Sequence, residues 1–290
     1  MALPKAINDR SDAMVLEQQR RLFQETVWEY YRKQARQGLP WRRAEADGSF
    51  DPYKIMVSEI MLQQTQVSRV VPKFAAFLRE FPTAQALASA PLAAVLIAWS
   101  GLGYNRRAKF LWQAAQAIVT QYHGRMPRTV TELKALPGIG VHTAGAILAY
   151  AYNEPVVFIE TNIRTVFIHH FFADETEPVP DAALVALVSQ TLDHEYPREW
   201  YWALMDYGVH LKQTVGNVSR RSKSYTKQSA FKGSLRQIRG AVIRELASGA
   251  RTETYLHKHV QDDRLEAVLA DLIKENLIEK HKNSYHLANT

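Results

Sequence analysis

A short corner between two helical patterns, Leu136-Pro137-Gly138-Ile139-Gly140, constrains the fold more than any other segment of the sequence. Its two glycines permit backbone conformations and close approaches that a side chain would block. Such a corner aims main-chain N–H groups outward at the start of the next helix, where a phosphate can bind. The alternative is an ordinary helix–helix turn. The next helix begins with the small side chains of Thr143-Ala144-Gly145, which favours the phosphate-binding hairpin over the ordinary turn.

Amphipathic patterns separated by proline and glycine recur along the chain and predict an all-α fold. Thr83 and Pro180-Asp181 supply helix start signals. The helices predicted before residue 212 span roughly 15–37, 52–64, 67–80, 84–89, 91–99, 104–121, 130–135, 141–151, 161–171, 180–193 and 197–211.

We predict three parts: a helical domain over 15–211, a basic loop over 212–235 and a small C-terminal unit over 236–290. From Tyr207 to Arg244 there are nine Lys or Arg and no Asp or Glu. The loop is therefore either a flexible linker or a segment that faces phosphates, and its exclusively positive charge favours the second.

Three helical patterns and then a hairpin around Asn283-Ser284 give the C-terminal unit the order of a winged helix. Such a unit binds DNA, binds a protein partner or packs on the main domain. A DNA or partner role is slightly favoured, and the sequence does not identify the partner.

Composition narrows the classes of function. The chain of 290 residues carries a net charge of +7, which fits a polyanionic partner such as nucleic acid and a merely solvated basic face equally well. No apolar run is long enough to span a membrane, and residues 1–20 are mixed and charged, so we expect a cytoplasmic protein at the nucleoid.

No cysteine is present, which excludes disulfides, thiolate zinc sites and cysteine-bound iron–sulfur clusters. Adjacent His169 and His170 point apart on a helix, so we predict no metal site.

Glu59 stands in an apolar stretch, Ser58 to Val67, with Gln63 and Gln64 one turn later. A carboxylic acid in an apolar pocket can act as a general acid near neutral pH. The glutamine amides can replace the hydrogen bonds of a displaced base. The alternative is a solvated glutamate on a helix surface.

Glu160 follows the apolar stretch Val156 to Ile159 at a predicted helix start, where the helix dipole favours a carboxylate. The alternative is that Glu160 or Asn162 only caps the helix.

Four segments together resemble the helix-hairpin-helix base-excision DNA glycosylases, in particular the MutY adenine glycosylase branch. They occur in the same order and at similar separations, over about residues 16–211, and are Leu39–Arg42, Ser58–Val67, Trp99–Tyr104 and Leu136–Ile147. The resemblance implies an all-α, two-lobed fold with a base-binding cleft between the lobes.

The resemblance also implies roles for single residues. Glu59 matches the glutamate that protonates adenine. In the family, certain residues lie near the flipped base or the gap that it leaves in the duplex, and one of them is a tyrosine that inserts into the duplex. The matching positions here are Trp41, Arg42, Gln63, Gln64, Tyr104 and His142, with Tyr104 as the inserted tyrosine. The phosphate-binding hairpin matches Gly138, Ile139, Gly140 and Thr143. His142 also occupies the place of the nucleophilic lysine of bifunctional lyases, and histidine does not readily form that Schiff base.

The chain departs from the family at three places. Glu160 stands where the family has an aspartate that stabilises positive charge on the sugar, so it is one methylene longer. The four cysteines of the family's iron–sulfur cluster are absent, and we expect the loop with Arg220, Arg221 and Lys223 to take over the cluster loop's DNA contacts. The family's C-terminal domain for recognising 8-oxoguanine is replaced by the winged-helix-like unit.

These observations predict a monofunctional DNA glycosylase without a cofactor, acting as a monomer on double-stranded DNA that contains a mispaired or damaged base. The first choice of base is adenine opposite guanine or 8-oxoguanine. The alternatives are a thymine or uracil mismatch glycosylase on the same scaffold, and a non-catalytic protein that binds lesions or DNA structures. The sequence leaves the excised base and its opposite partner open.

Overall fold

The computed structural model describes residues 10–290 and is mainly helical. Its helices are α1 (Arg10–Gln34), α2 (Pro52–Leu62), α3 (Val67–Glu80), α4 (Ala84–Ala88), α5 (Leu92–Ala98), α6 (Arg106–Gln121), α7 (Val130–Ala135), α8 (Val141–Tyr152), α9 (Thr161–Phe171), α10 (Asp181–Thr191), α11 (Pro197–Thr214), α12 (Leu235–Ala247), α13 (Glu253–Val260) and α14 (Leu265–Lys274). Short 3-10 turns occur at Pro40–Arg42 and Val218–Arg221.

Near its C-terminus the chain forms a small antiparallel sheet. The strands β1 (Arg251–Thr252), β2 (Ile278–His281) and β3 (Ser284–Leu287) lie in the order β1-β3-β2. His281 pairs with Ser284, so the two-residue hairpin turn is Lys282-Asn283, one residue earlier than predicted. Lys282 takes the positive φ of +52° that such a turn needs.

The chain folds into two compact units. Unit 1 is the segment ending at Phe50 together with Ala144–Lys227, and unit 2 is Asp51–Thr143 together with Gln228–Thr290. Helix α8 begins in unit 2 and continues in unit 1. Each unit is therefore built from two separate stretches of the chain.

The core of unit 1 forms where α11 packs against α9 and α1. Phe23 of α1 contacts Phe167 and Trp200 through tilted or edge-on rings with centroids 5.1 and 6.0 Å apart. Trp200 is fully buried. Aromatic packing of this kind stabilises the unit through a large buried apolar area.

In unit 2, α4 packs against α6, and α5 packs against both α12 and β3. The indole of Trp112 donates a hydrogen bond to the carbonyl of Ala90 at 2.9 Å, and the N–H of Leu92 donates to the carbonyl of Asn289 at 3.2 Å. The C-terminal helices and sheet are thus part of the same compact unit as α2 to α7.

The all-α class and the small C-terminal sheet are confirmed. Thr83 caps α4 by accepting the N–H of Ala86 at 3.1 Å, and α10 begins at Asp181, as their start signals predict. The two-residue strand β1 was not predicted, because it is too short to show alternation. The domain boundaries at 211 and 235 stay predictions. Within residues 10–290, no helix has both the length and the apolar character needed to cross a membrane.

Candidate functional site

The hairpin between α7 and α8 requires glycine at position 138. Gly138 has a φ of +78°, and a Cβ there would lie 2.7 Å from the Cβ of Phe110. Ile139 is buried, and its N–H donates to the carbonyl of Leu136 at 3.2 Å, which closes the turn. The positive φ and the close contact with Phe110 together explain why position 138 needs glycine.

Gly140 is a different case. Its φ lies outside the left-handed region, and a Cβ there would have no heavy atom of the described residues within 4 Å. Gly140, Val141 and His142 are all exposed, so the first turn of α8 opens to solvent. The first N–H groups of a helix lack intrahelical acceptors and attract anions. Open space at Gly140, beside those groups, suits the close approach of an anion.

Glu59 is the one partly exposed residue in a buried stretch of α2, residues 55–61. Asp51 caps the helix by accepting the N–H of Tyr53 at 2.8 Å, and Pro52 fits the first turn. The Glu59 carboxyl group therefore stands on a helix whose neighbouring residues form the core of unit 2.

Gln63 and Gln64 leave α2 in a sharp turn. Gln64 has a φ of +53°, which residues other than glycine rarely adopt. Gln63 donates from Nε2 to the hydroxyl of Thr143 at 3.4 Å, whereas Gln64 is exposed. The turn holds one glutamine against the first turn of α8 and presents the other to solvent.

A second strained turn presents Tyr104. Gly103 and Tyr104 have positive φ values of +71° and +49°. The buried indole of Trp99 donates to the carbonyl of Gly103 at 3.1 Å. Positive φ in a bulky residue persists only where the surrounding structure enforces it, and such residues are common at functional sites.

Arg107 links these two turns. Its guanidinium donates six hydrogen bonds, five of them to main-chain carbonyls. From Nη1 the acceptors are the carbonyls of Ile60 at 2.8 Å, Met61 at 2.9 Å and Gln63, and from Nη2 they are the carbonyls of Leu102 at 3.2 Å and Gly103 at 3.1 Å and the hydroxyl of Thr65 at 3.0 Å. One side chain thus fixes the end of α2 and the turn before α6.

Arg107 is 8% exposed, and burial lowers its pKa to about 10, so it stays charged at neutral pH. A cation at the C-terminal end of α2 also complements the helix carbonyls. Its role was not identified from the sequence, where Arg106-Arg107 indicates only local positive charge. A glycine-rich turn a few residues before Arg107 has carbonyls that need donors, but nothing local signals the contacts of Arg107 with the distant end of α2.

The Tyr104 hydroxyl is held by two residues near the start of α12. Arg236 donates from Nη1 to it at 2.6 Å, and the guanidinium carbon lies 5.0 Å from the tyrosine ring centroid. Gln228 donates from Nε2 to the same hydroxyl and to Oε1 of Gln64 at 3.3 Å. Neither partner was predicted, because sequence separation conceals the contact.

Glu160 caps α9 in unit 1. Its Oε1 accepts the N–H groups of Asn162 at 2.6 Å and Ile163 at 3.1 Å. Its Oε2 has a longer contact of 3.5 Å with the Asn162 side-chain amide. The capping alternative from the sequence is therefore what the structure shows, and it fixes a carboxylate at a helix N-terminus.

The surroundings of Glu160 act on its carboxyl group in opposite directions. Burial raises the pKa of Glu160, while the ammonium of Lys212 and the capped N–H groups oppose the rise. Lys212 donates to Oδ1 of Asn162 at 2.6 Å, which keeps its charge in this cluster. Burial in turn lowers the pKa of Lys212, and Glu160 opposes that shift.

Trp41 and Arg42 are buried or nearly so in unit 1. The guanidinium of Arg42 donates twice to the buried carboxylate of Asp206, each time at 2.8 Å, and Arg36 donates to it at 2.6 Å. Burial alone would raise the pKa of Asp206, but the hydrogen bonds and charge of Arg42 outweigh it, so that pKa lies below its usual range. The structure gives Arg42 a structural partner, and its predicted contact with a base stays untested.

Arg221 also has a structural environment. Its guanidinium donates to the main-chain carbonyls of Ala173 at 3.1 Å, Phe172 at 2.5 Å and Glu175. Arg220 and Lys223, in contrast, are exposed. The three basic residues predicted to contact phosphate thus differ, since two present their charges to solvent and one uses its donors within the protein.

The iron–sulfur cluster that the resemblance implies has no ligands here. A cluster needs thiolates, and the chain has no cysteine. The segment at that place is instead held by Arg221 and by a parallel bridge between Val179 and Ser222. The residues present do not fit the cluster.

The predicted site residues are divided between the units. Unit 2 contains the acid, the two turns and the hairpin, namely Glu59, Gln63, Gln64, Tyr104, Gly138, Ile139, Gly140, His142 and Thr143. Unit 1 contains Trp41, Arg42, Glu160, Arg220, Arg221 and Lys223. The structure brings Gln63 to Thr143 and Gln64 close to Tyr104 through Gln228.

Residues 57–187 match the family described as HhH-GPD superfamily base excision DNA repair protein. The chain is 35% identical over 272 residues to the adenine DNA glycosylase of Mycolicibacterium smegmatis, covering 83% of this chain and 89% of that protein. It is 31% identical over 216 residues to the adenine DNA glycosylase of Buchnera aphidicola subsp. Baizongia pistaciae, covering 72% of this chain and 60% of that protein. It is 37% identical over 182 residues to the human adenine DNA glycosylase, covering 61% of this chain and 33% of that protein.

Solved structures share the fold. A thermostable thymine-DNA glycosylase superposes with a TM-score of 0.59 at 23% identity, covering 67% of this chain and 87% of that one. A non-covalent endonuclease III–DNA complex superposes with a TM-score of 0.52 at 18% identity, covering 68% of this chain and 86% of that one.

We expect Arg107→Met to destabilise the protein by about 3 kcal/mol, because it leaves buried carbonyls without donors. The measurement is urea unfolding followed by circular dichroism. Arg106→Met removes the neighbouring, exposed arginine and should change stability by less than about 1 kcal/mol. Equal unfolding midpoints for the two variants would contradict the role of Arg107.

We expect Arg221→Gln to lower the free energy of unfolding by about 1–2 kcal/mol, since three main-chain acceptors lose a charged donor. Arg220→Gln is the matched control and should stay within about 0.5 kcal/mol of the parent. Differential scanning calorimetry measures both. A loss in the control but not in Arg221→Gln would reverse the assignment of the two arginines.

Proposed function

The chain belongs to the HhH-GPD superfamily of base excision DNA repair proteins, within it to the adenine DNA glycosylase family, and we propose that it hydrolyses the N-glycosidic bond of adenine mispaired with guanine or 8-oxoguanine. The observation that carries the proposal is Glu59, the one partly exposed residue of a buried helical stretch. Its helix ends in the strained glutamine turn, and Gln63 of that turn contacts the first turn of the hairpin helix.

Binding begins with the DNA backbone. The exposed first turn of α8 offers main-chain N–H groups to a phosphate, and Gly140 leaves the room for its close approach. This contact holds the duplex without selecting a sequence. The target nucleotide must then leave the stack, at a cost of a few kcal/mol that is smallest for a mispair.

Glu59 acts as the general acid. Its carboxyl proton passes to a ring nitrogen of adenine, the bond from N9 to the sugar C1′ breaks, and the electron pair leaves with the base. Water adds to C1′ and loses its proton to the Glu59 carboxylate, which restores the acid. The products are free adenine and an abasic site.

Glu160 stabilises the positive charge that develops on the sugar, as the second carboxylate of glycosidic cleavage does. Its Oε1 is engaged by the capped N–H groups of α9, while Oε2 has only the long contact with Asn162. Lys212 supports this role because its charge favours the ionised carboxylate.

His142 stands where a lyase has its lysine, and it is exposed at the start of α8. An imidazole does not readily form the Schiff base that strand cleavage needs. The enzyme is therefore monofunctional, releasing the base without cutting the strand.

The basic loop supports binding through Arg220 and Lys223, whose charges face solvent. Arg221 acts inside the protein instead. We further propose that the enzyme works without an iron–sulfur cluster, acts as a monomer and is found with the DNA of the nucleoid.

Glu59→Gln removes the proton donor without changing size, so we expect base release to fall on the order of a hundredfold to ten-thousandfold. Single-turnover cleavage by alkali at the abasic product measures it, on duplexes with adenine opposite 8-oxoguanine, guanine or cytosine and with thymine or uracil opposite guanine. Glu80→Gln, on the exposed end of α3, is the matched control.

The panel also separates the candidate activities. Release of adenine supports the proposal, whereas release of only thymine or uracil indicates the mismatch glycosylase. Tight binding with no product from any duplex indicates a binding protein. Full activity in Glu59→Gln would refute the general acid.

Lys212→Met should move the acid limb of the pH–rate profile to higher pH. The ammonium lowers the pKa of Glu160, so its removal raises that pKa and protonates the carboxylate at a pH where the parent is still ionised. Single-turnover rates between about pH 4 and 9 measure the shift. Lys212→Arg keeps the charge and should restore the parent limb; a limb that does not move in Lys212→Met contradicts the coupling.

A further inference from the structure

The segment just before α12 forms a tight turn that several hydrogen bonds fix. The guanidinium of Arg236 donates from Nη2 to the carbonyl of Ser229 at 2.5 Å and to its hydroxyl at 3.2 Å. The N–H and the hydroxyl of Ser234 both donate to the carbonyl of Phe231, at 3.1 and 2.7 Å. We call residues 229–234 the Phe231 turn.

Gly233 joins this turn to two helices. Its φ is +75°, which suits glycine. Its N–H donates to Oε1 of Gln237 in α12 at 2.7 Å, and its carbonyl accepts from Nη2 of Arg264, which precedes α14, at 3.1 Å. The conformation of the Phe231 turn is therefore set by the C-terminal helices of unit 2.

The Phe231 turn presents an apolar surface to solvent. Phe231 is 57% exposed, and Leu235, in the first turn of α12, is 47% exposed. Single exposed apolar residues are common on protein surfaces, but two so close in the chain form a small patch. Packing within the described residues covers less than about half of the Phe231 side chain, so the fold does not explain an aromatic residue there.

The charge around this patch has one sign. From Gln228 to Arg244 the chain has four Lys or Arg and no Asp or Glu, and Lys232 within the turn is exposed. Asp262 and Glu275 approach from beyond α13, but each forms an ion pair with an arginine. An apolar group among cations fits a partner whose apolar groups lie between anions, as the bases of DNA lie between two rows of phosphates.

Contacts within unit 2 place the Phe231 turn beside the hairpin between α7 and α8. Gln228, just before the turn, donates from Nε2 to Oε1 of Gln64 at 3.3 Å. The preceding residue, Gln63, donates to the hydroxyl of Thr143 in the first turn of α8 at 3.4 Å. One pair of adjacent glutamines thus contacts both elements. A duplex whose phosphate binds at the start of α8 is therefore within reach of Phe231.

We propose that Phe231 is an apolar wedge that inserts between adjacent bases of the bound duplex, with Lys232 on a flanking phosphate. The proposal rests on the proposed function, because it needs DNA bound at the hairpin. Phenylalanine and leucine wedges of this kind enter the minor groove and partly unstack one base step, while basic residues bind beside them. Unstacking lowers the cost of moving a nucleotide out of the duplex. A fixed turn suits a wedge, because little further freedom is lost on binding.

The test compares Phe231→Ala with Phe231→Trp, which keeps an aromatic ring. The control Ile97→Ala truncates an apolar residue of unit 2 that is 45% exposed in α5. Fluorescence anisotropy measures equilibrium affinity for a duplex with a tetrahydrofuran abasic analogue, which needs no catalysis. The fluorescence of 2-aminopurine, placed in separate duplexes at each position flanking the analogue, reports unstacking on binding.

We expect Phe231→Ala to weaken affinity about fivefold to a hundredfold and to abolish the rise in 2-aminopurine fluorescence at one base step. Phe231→Trp should keep both signals, and Ile97→Ala should match the parent. The melting temperature of Phe231→Ala should stay at the parent value, because the side chain it removes is largely exposed.

Lys232→Gln tests the phosphate contact. It should lower by about one the slope of log affinity against log salt concentration, since one phosphate contact is lost. Lys258→Gln, which removes an exposed lysine of α13, is the matched control and should keep the parent slope.

Parent affinity and parent 2-aminopurine fluorescence in Phe231→Ala overturn the proposal. Unchanged DNA binding together with altered sedimentation of the free protein overturns it as well, in favour of a contact between protein copies. If the parent releases no adenine but Phe231→Ala loses both DNA signals, the proposed function fails while the wedge stands. Adenine release by the parent, with both signals retained in Phe231→Ala, shows the reverse.

Discussion

The buried guanidinium of Arg107 is the interaction on which the site in unit 2 depends. Both turns that it holds contain a residue with positive φ, Gln64 and Tyr104, and both end in carbonyls that need donors. A main-chain acceptor left unpaired in the interior costs free energy, so loss of this side chain would destabilise both turns. Arginine suits the position because its planar fork donates in several directions at once, which lysine does not.

Patterns within one helix were predictable from the sequence, because apolar spacing and capping residues act locally. Thr83 and Asp181 show this at the starts of α4 and α10. The hairpin turn at Lys282-Asn283 was misplaced by one residue, since asparagine is common in turns but lysine here takes the positive φ. The Arg107 and Arg236 contacts join segments far apart in the chain, and no local pattern reports such contacts.

Charge in the sequence does not tell whether a basic residue faces solvent or the protein. Arg220 and Arg221 are adjacent and chemically identical, yet one is exposed and the other donates to three carbonyls. Arg42 likewise pairs with the buried Asp206, whose unpaired charge would be costly. In the segment where the resemblance implies a metal cluster, a hydrogen-bonded arginine constrains the chain through ordinary side-chain chemistry.

The extra methylene of Glu160 has a structural consequence that bears on its role. A short capping side chain reaches the first N–H groups of a helix directly, and the longer glutamate still does so, with Oε1 bound to Asn162 and Ile163. The carboxylate is therefore anchored by one oxygen. The other oxygen has only the long contact with Asn162, so in the proposed mechanism it is the oxygen that would face the developing cation. A cap and a charge-stabilising carboxylate are thus compatible in one residue, since each uses a different oxygen.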